Sequence, residues 1–352
     1  MAPINIALLG SGIFAREEHL PAILSASSTL RLVAVYSRTS SGAQNLAHLA
    51  KEKGVEGGEV QVYGDDKEGQ GLDELLARED VGGVVIALPI LAQPSYIRKA
   101  LSAGKHVLAE KPIAKDVATA VELTSWYRDN FASGPTFSIA ENFRFFDSYI
   151  YASEQIASLG RILGFRVRVH ALVQPGGKYY ETEWRKKPEY QGGFLLDGGV
   201  HFIAATRLVL GGAGVKPVKT AAFSAQLQEH LPPVDTVDAT AQLSNGSSGT
   251  ISLSFGTTFS GSEYAFACEK GVVTVSKGKV TVQKNGEKEV VKEHPDEGNG
   301  VKQEIAAWGK ALQEGKANQR QSPEEALGDL EWLEAMLQSG EKGGASIDLH
   351  RT

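Results

Sequence analysis

Short apolar runs alternate with longer stretches of helical pattern over the first 140 residues. The runs "INIALL", "LRLVAVYS", "VGGVVIALP", "KHVLAE" and "PTFSIA" have the composition of strands buried on both faces. Candidate helices lie between them, near 14–26, 41–53, 72–78, 93–103 and 116–130. Such alternation predicts βαβ units and a parallel sheet wrapped by helices. Pro21 falls inside the first helical pattern and is expected to kink it.

The pattern changes after about residue 145. A helix near 147–158 precedes the alternating strand "ILGFRVRVHALV", and a second helix is predicted near 197–210. From 218 to 292 come turn-separated β-rich runs, among them "TVDATAQL", "GTISLSF", "EYAFACE", "GVVTVS" and "KVTVQK". Helices near 301–314 and 323–338 close the chain, after a loop at "EHPDEGNG". Strands grouped together predict an α+β domain on a mostly antiparallel sheet. The expected division is 1–143 and 144–352, in line with the preference of long chains for two cores. Asn245-Gly246-Ser247 matches a glycosylation sequon, but Asn-Gly between apolar runs reads as a hairpin turn.

Composition narrows the function. The chain has 352 residues, 42% hydrophobic and 22% charged, as in ordinary globular proteins. With 36 Lys+Arg against 42 Asp+Glu, the net charge of −6 gives no global attraction to nucleic acid or an anionic membrane. One cysteine, Cys268, makes neither a disulfide framework nor a structural zinc site. No apolar run approaches the roughly 18 residues needed to cross a bilayer. The first strand begins almost at Met1, so no signal peptide is expected and a cytoplasmic location is.

Three motifs carry chemistry. Gly10-Ser11-Gly12-Ile13-Phe14-Ala15 follows the first strand and opens a helix, fitting G-x-G-x-x-G/A. Gly10 allows the tight turn, Gly12 lets backbone approach a pyrophosphate, and Ala15 permits close packing. At the end of the second strand stands Tyr36-Ser37-Arg38-Thr39, where a carboxylate would grip ribose hydroxyls in an NAD site. Arg38 can instead pair with a 2′-phosphate, with Ser37 and Thr39 donating hydrogen bonds, so NADP(H) is expected over NAD(H). Alternatively, Arg38 is a solvated loop residue.

The second motif is Glu110-Lys111-Pro112 at the carboxyl end of the fifth strand, where doubly wound sheets place ligands. Lys111 there is either a donor to a substrate oxygen or a surface lysine at a strand end. A cis bond at Pro112 would aim it. The third is "GGFLLDGGVH", Gly192 to His201. Asp197 and His201 are four apart and share a helix face, which suits a proton shuttle. The competing reading is a salt-bridged pair at a helix start, with Asp197 near the N-cap. Gly192, Gly193, Gly198 and Gly199 imply close backbone approach. No further ligands at matching spacing accompany the pair, so no metal is expected.

"GSGIFA", "AEKPIA" and "WRKKPEYQGGFLLDGGVH" together resemble the glucose–fructose oxidoreductase/inositol dehydrogenase (Gfo/Idh/MocA) family, in particular its fungal NADP(H)-linked members. The resemblance implies an α/β fold: an N-terminal Rossmann dinucleotide-binding domain, then an α+β domain whose large open sheet commonly mediates dimers. It implies that Lys111 is the catalytic lysine before a cis Pro112. Asp197 becomes the substrate-binding aspartate, His201 the proton-transferring histidine, and Glu110 a contact to the nicotinamide ribose. Asn142, Arg144, Trp184 and Arg185 match substrate-side or supporting positions. Leu88 and Pro89 occupy the cofactor turn after strand four. There Ala87-Leu88-Pro89-Ile90-Leu91-Ala92-Gln93 replaces the family's threonine-proline-asparagine and histidine.

The implied activity is an NADP(H)-dependent oxidoreductase acting on a hydroxyl or carbonyl of a sugar, polyol or related small molecule. The alternatives are a non-catalytic cofactor-sensing regulator and a redox-assisted glycosidase. Tyr179 and Tyr180 either line a pocket or pack. Arg166, Arg168 and His170 share a strand face that reads as solvated, the alternative being an anion-binding or dimer-facing surface.

Overall fold

A computed structural model of the chain describes residues 2–55, 58–131 and 133–351. The early apolar runs become parallel strands β1 (Ile4–Leu9), β2 (Leu30–Ser37), β3 (Gln61–Gly64), β4 (Gly83–Ile86), β5 (His106–Glu110) and β6 (Phe137–Ala140). They lie in the order β3-β2-β1-β4-β5-β6, all neighbours parallel. Every residue of β4 and β6 is buried, which is why these segments read as continuous apolar runs. β3 was not among the predicted strands. It is a four-residue edge strand of mixed exposure, too short to show a period.

Helices α1 (Leu20–Ser25), α2 (Ser40–Glu52), α3 (Leu72–Leu76), α4 (Gln93–Ser102) and α5 (Val117–Asn130) link the strands. Thr39 caps α2 by accepting the Gly42 N–H, and Asp116 caps α5 by accepting that of Thr119. Around Pro21 the expected kink takes another form. A π-helical turn, Ala15–His19, runs into α1, where proline sits in the first turn. Proline lacks the N–H that would bond back along an α-helix, so the preceding turn can widen without losing that bond.

The rest of the chain comprises α6 (Asp147–Ser158), β7 (Ile162–His170), α7 (Glu183–Lys186), α8 (Gly193–Gly212), β8 (Pro217–Ala225), β9 (Thr236–Leu243), β10 (Ser248–Ser254), β11 (Gly261–Cys268), β12 (Gly271–Ser276), β13 (Lys279–Lys284), β14 (Val290–Glu293), α9 (Val301–Gln313), α10 (Pro323–Glu341) and β15 (Ile347–Asp348). The second sheet has nine strands in the order β14-β13-β12-β11-β7-β10-β9-β8-β15. It is mostly antiparallel, the exception being β7 with β10. Asn245-Gly246 forms the predicted turn between β9 and β10, with Gly246 at φ 86°.

Two units emerge, one of Met1–Asn142 with Gly300–Ala326, the other of Phe143–Asn299 with Leu327–Thr352. The sequence division assigned all of 144–352 to one domain, whereas 300–326 belongs with the parallel sheet. The reason is burial: Val301, Ile305, Trp308 and Leu312, one stripe of α9, join the core formed by Ile6, Leu8, Leu20 and Ile23.

α8 is long and apolar enough to cross a membrane by length and composition, unlike any run singled out in the sequence. Two-thirds of that span is buried within its own unit, which marks it as a core helix.

Candidate functional site

The loop after β1 is shaped by contact with the end of β4. Gly10 has φ 112°, and a Cβ there would lie 2.2 Å from the Ala87 carbonyl oxygen. Only glycine permits that approach. Its N–H donates to the Tyr36 carbonyl at 2.9 Å, tying the loop to β2. Over Gly12 a Cβ would meet nothing within 4 Å, so the space is open to a ligand. Ala15 is fully buried, as the packing role requires. Ile13 and Phe14 are half-buried, with the Phe14 ring edge-on to His19.

At the end of β2, the Ser37 and Ser11 hydroxyls lie 2.9 Å apart. Thr39 Oγ1 accepts its capping bond from the Gly42 N–H, which leaves its own proton for donation. Arg38 is exposed and makes no hydrogen bond or ion pair among the described residues. The structure adds two carboxylates that sequence proximity could not show. The Tyr36 hydroxyl donates to Asp65 at 2.5 Å. Asp66 accepts from the Ser40 N–H at 2.6 Å and its hydroxyl at 2.5 Å, which holds its carboxyl below the usual range.

Beyond β4, Leu88 is half-buried and Pro89 exposed. Gln93, at the start of α4, is 1% exposed, and neither side-chain amide atom has a hydrogen-bond partner among the described residues. An orphaned buried amide fits a site built to bind a polar group. In the sequence Gln93 stands out only as a departure from a family pattern, and nothing in its local context signals burial.

Lys111 follows β5, is half-buried, and precedes a cis peptide to Pro112. Glu110 is bonded at 2.7 Å to Nε2 of His19, a fully buried histidine not singled out from sequence. Asn142 is buried in the same unit. Its carbonyl oxygen would lie 2.3 Å from a Cβ on Gly300, so the start of α9 seats tightly on it.

In the second unit, α8 begins at Gly193, four residues before the predicted start, with Gly192 as N-cap. Asp197 is therefore inside the helix and not at its cap. A Cβ on Gly193 would lie 2.2 Å from the Pro232 carbonyl oxygen, and one on Gly198 2.6 Å from the Phe255 ring. These approaches account for Gly193 and Gly198, whereas a Cβ on Gly199 would meet only ordinary contacts, the nearest at 3.5 Å. Asp197 is 5% exposed and accepts from Arg185 Nε at 2.7 Å. The Arg185 guanidinium lies over Trp184, 4.0 Å from the ring centre. His201 is half-buried and stacks on Phe143 with ring centres 4.7 Å apart.

Arg144 has a different setting from Arg185. It is 3% exposed and donates at 2.5 Å to Oδ1 of Asp329, the same oxygen that accepts from Arg207. Of the two positions that the resemblance allowed, the supporting one suits it. Tyr180 is buried edge-on to His230, while Tyr179 lies near Arg185. Arg166 and Arg168 are exposed as expected. His170 is not: it is 8% exposed and bonded to Ser252.

The profile of an oxidoreductase family's NAD-binding Rossmann fold matches residues 4–130, and that of its C-terminal alpha/beta domain matches 153–349. The chain belongs to the Gfo/Idh/MocA oxidoreductase family. Among its relatives, Dehydrogenase FPY6 of Fusarium mangiferae is 44% identical, with 97% of this chain and 98% of that protein aligned. A dTDP-3,4-didehydro-2,6-dideoxy-alpha-D-glucose 3-reductase of Streptomyces violaceoruber is 31% identical over 59% of this chain and 55% of its own. An oxidoreductase of Thermotoga maritima superposes with a TM-score of 0.85 at 30% identity, covering 98% of each chain. As a Gfo/Idh/MocA member with a Rossmann sheet and an open glycine loop, this chain is an NAD(P)-dependent oxidoreductase.

Proposed function

We propose that the protein uses NADP(H) to move a hydride to or from the hydroxyl or carbonyl carbon of a small polar substrate, a sugar, polyol or related compound. The observation that carries the cofactor choice is Arg38, an exposed cation at the end of β2 where an NAD site would present a carboxylate. Ser37, Thr39 and the backbone from Gly10 through Phe14 would hold the phosphates, with Leu88, Pro89 and Glu110 beside the nicotinamide. The bound dinucleotide supplies the hydride chemistry.

The protein's own groups would handle the proton and the oxygen. In oxidation, His201 takes the hydroxyl proton while Lys111 hydrogen-bonds the oxygen, and in reduction both act as donors. Asp197, with its Arg185 partner, would orient the substrate. Asn142 and Trp184 would line the substrate side. The sugar reductase among the relatives supports the substrate class. Exposed Phe223 and Phe259, 69% and 72% accessible in the unit built on the nine-stranded sheet, support a homodimer or higher homo-oligomer. The lone buried thiol suits a cytoplasmic protein.

The test is nicotinamide absorbance with NADP(H) and NAD(H) against aldoses, polyols, inositols, dihydrodiols and carbonyl compounds. Lys111→Ala and His201→Ala should each cost about a hundredfold or more in kcat. Arg38→Ala should weaken NADP(H) binding about tenfold or more and leave NAD(H) unmoved. Cofactor binding without turnover of any compound would refute the enzymatic reading in favour of a regulator. Unchanged NADP(H) affinity in Arg38→Ala would refute the cofactor choice.

A further inference from the structure

Behind the Glu110–Lys111 turn, His19, Glu110 and Glu304 each bring one side-chain ligand atom to within 4.8 Å of the others. His19 and Glu110 are already joined by a 2.7 Å hydrogen bond. Glu304 lies on the buried stripe of α9 between Val301 and Ile305, is 0% exposed, and has no hydrogen-bond partner on either carboxyl oxygen among the described residues. The Nδ1 of His19 is likewise buried and unpartnered. Gln321 bonds only the main-chain carbonyl of Glu304, at 3.1 Å.

The charges that act on Glu304 are those of Glu110, Glu141 and Lys111. Of the elements packed against α9, α1 and β1 carry no titratable side chain. In the π-helical turn, Arg16 and Glu17 are exposed and Glu18 half-exposed, leaving His19 as the buried titratable group. On α9 itself, Lys302 and Lys310 are exposed. Ionised, Glu304 would add a negative charge beside Glu110 and Glu141, with no donor of its own. Burial first, then the two neighbouring carboxylates, push its carboxyl well above the ordinary range, against a smaller pull from Lys111.

We propose that Glu304, buried within 4.8 Å of the His19–Glu110 pair, is held as a neutral carboxylic acid that keeps a second negative charge away from Glu110, making Glu304 a positioning residue for the Glu110–Lys111 turn. A second anion beside Glu110 would draw the Lys111 ammonium toward α9, whereas a neutral acid adds no such pull. This deepens the proposed function and rests on Lys111 acting at the substrate oxygen. The proton itself does not depend on that reading.

Infrared difference spectra of the whole protein, wild type minus Glu304→Gln at pH 7, test it. The expected result is a protonated-carboxyl C=O band present in the wild type, absent in the variant and shifted in heavy water. Absence of that band overturns the proposal. So does a stoichiometric divalent metal in the purified protein that is lost in Glu304→Gln and His19→Ala. Competitive amine labelling of Lys111 across pH gives an independent check. Its profile should not move in Glu304→Gln, and a shift to lower pH would show that an anion had been removed.

Turnover then reads the positioning role: Glu304→Leu should lower kcat about tenfold and Glu304→Gln should recover most of it. Equal losses in both variants would refute positioning by a neutral polar group. Should no substrate be turned over, the functional reading falls while the infrared result still decides the state of Glu304.

Discussion

Replacing Asp329 with asparagine keeps the side chain's volume and removes a charge on which two buried arginines lean. Oδ1 of Asp329 accepts from both Arg144 and Arg207 at 2.5 Å, and the three side chains are 1%, 3% and 9% exposed. Removing one member of a buried ion pair typically costs about 3–5 kcal/mol, because the remaining charge stays desolvated. In a unit of this size each kcal/mol moves the melting temperature by roughly 2–4 °C. Asp329→Asn should therefore melt about 10 °C below the wild type in a calorimetric scan of the full chain. Arg144→Met should melt well below the wild type as well, with any loss of activity appearing in the apparent kcat through loss of folded protein and the substrate KM unchanged. A melting temperature within about 2 °C of wild type would refute the anchoring argument. So would a raised KM for Arg144→Met at unchanged stability, which would return Arg144 to the substrate.

Trp308→Ala should destabilise the first unit by about 3–5 kcal/mol, read by urea unfolding, because the 1%-exposed ring fills that unit's core. An effect under about 1 kcal/mol would refute the assignment of 300–326 to that core. Gly10→Ala should abolish dinucleotide binding in a fluorescence titration, since its Cβ collides with the Ala87 carbonyl at a φ that side chains avoid. Retained affinity would show that the loop yields. Cys268 is buried, and burial followed by the charge of Glu269 pushes its thiol up to about 11. It should stay protonated and resist alkylation in the native protein from pH 7 to about 9, reacting only on unfolding. Rapid native labelling would contradict that placement.

Much of the first unit was legible because its signals are local. A buried strand must be apolar over a few consecutive residues, and G-x-G-x-x-A opens a helix whatever follows. The same locality explains the misses. β3 is four residues long and half exposed, so it carries no period. Gly192 and Gly193 read as helix breakers, which places the expected start of α8 four residues beyond its actual one at Gly193. Gly193 is there to pass the Pro232 carbonyl, a contact about forty residues away in sequence. Glu304 had a signal that went unused: a carboxylate inside the apolar stripe Val301, Ile305, Trp308 of an amphipathic helix. Nothing comparable marks His19 or Gln93.

By itself the sequence determined the alternation of strands and helices, the glycine loop, the lysine–proline turn and the absence of a carboxylate at the end of β2. All of these depend on residues close together in the chain. The tertiary structure alone decided that α9 returns to the parallel sheet and that Asp65 and Asp66 reach Tyr36 and Ser40. It also decided that Asp329 pairs with both Arg144 and Arg207, and that Glu304 lies near Glu110. The physical reason is that burial and charge pairing depend on which faces meet, and a residue's polarity does not reveal its neighbour across the core.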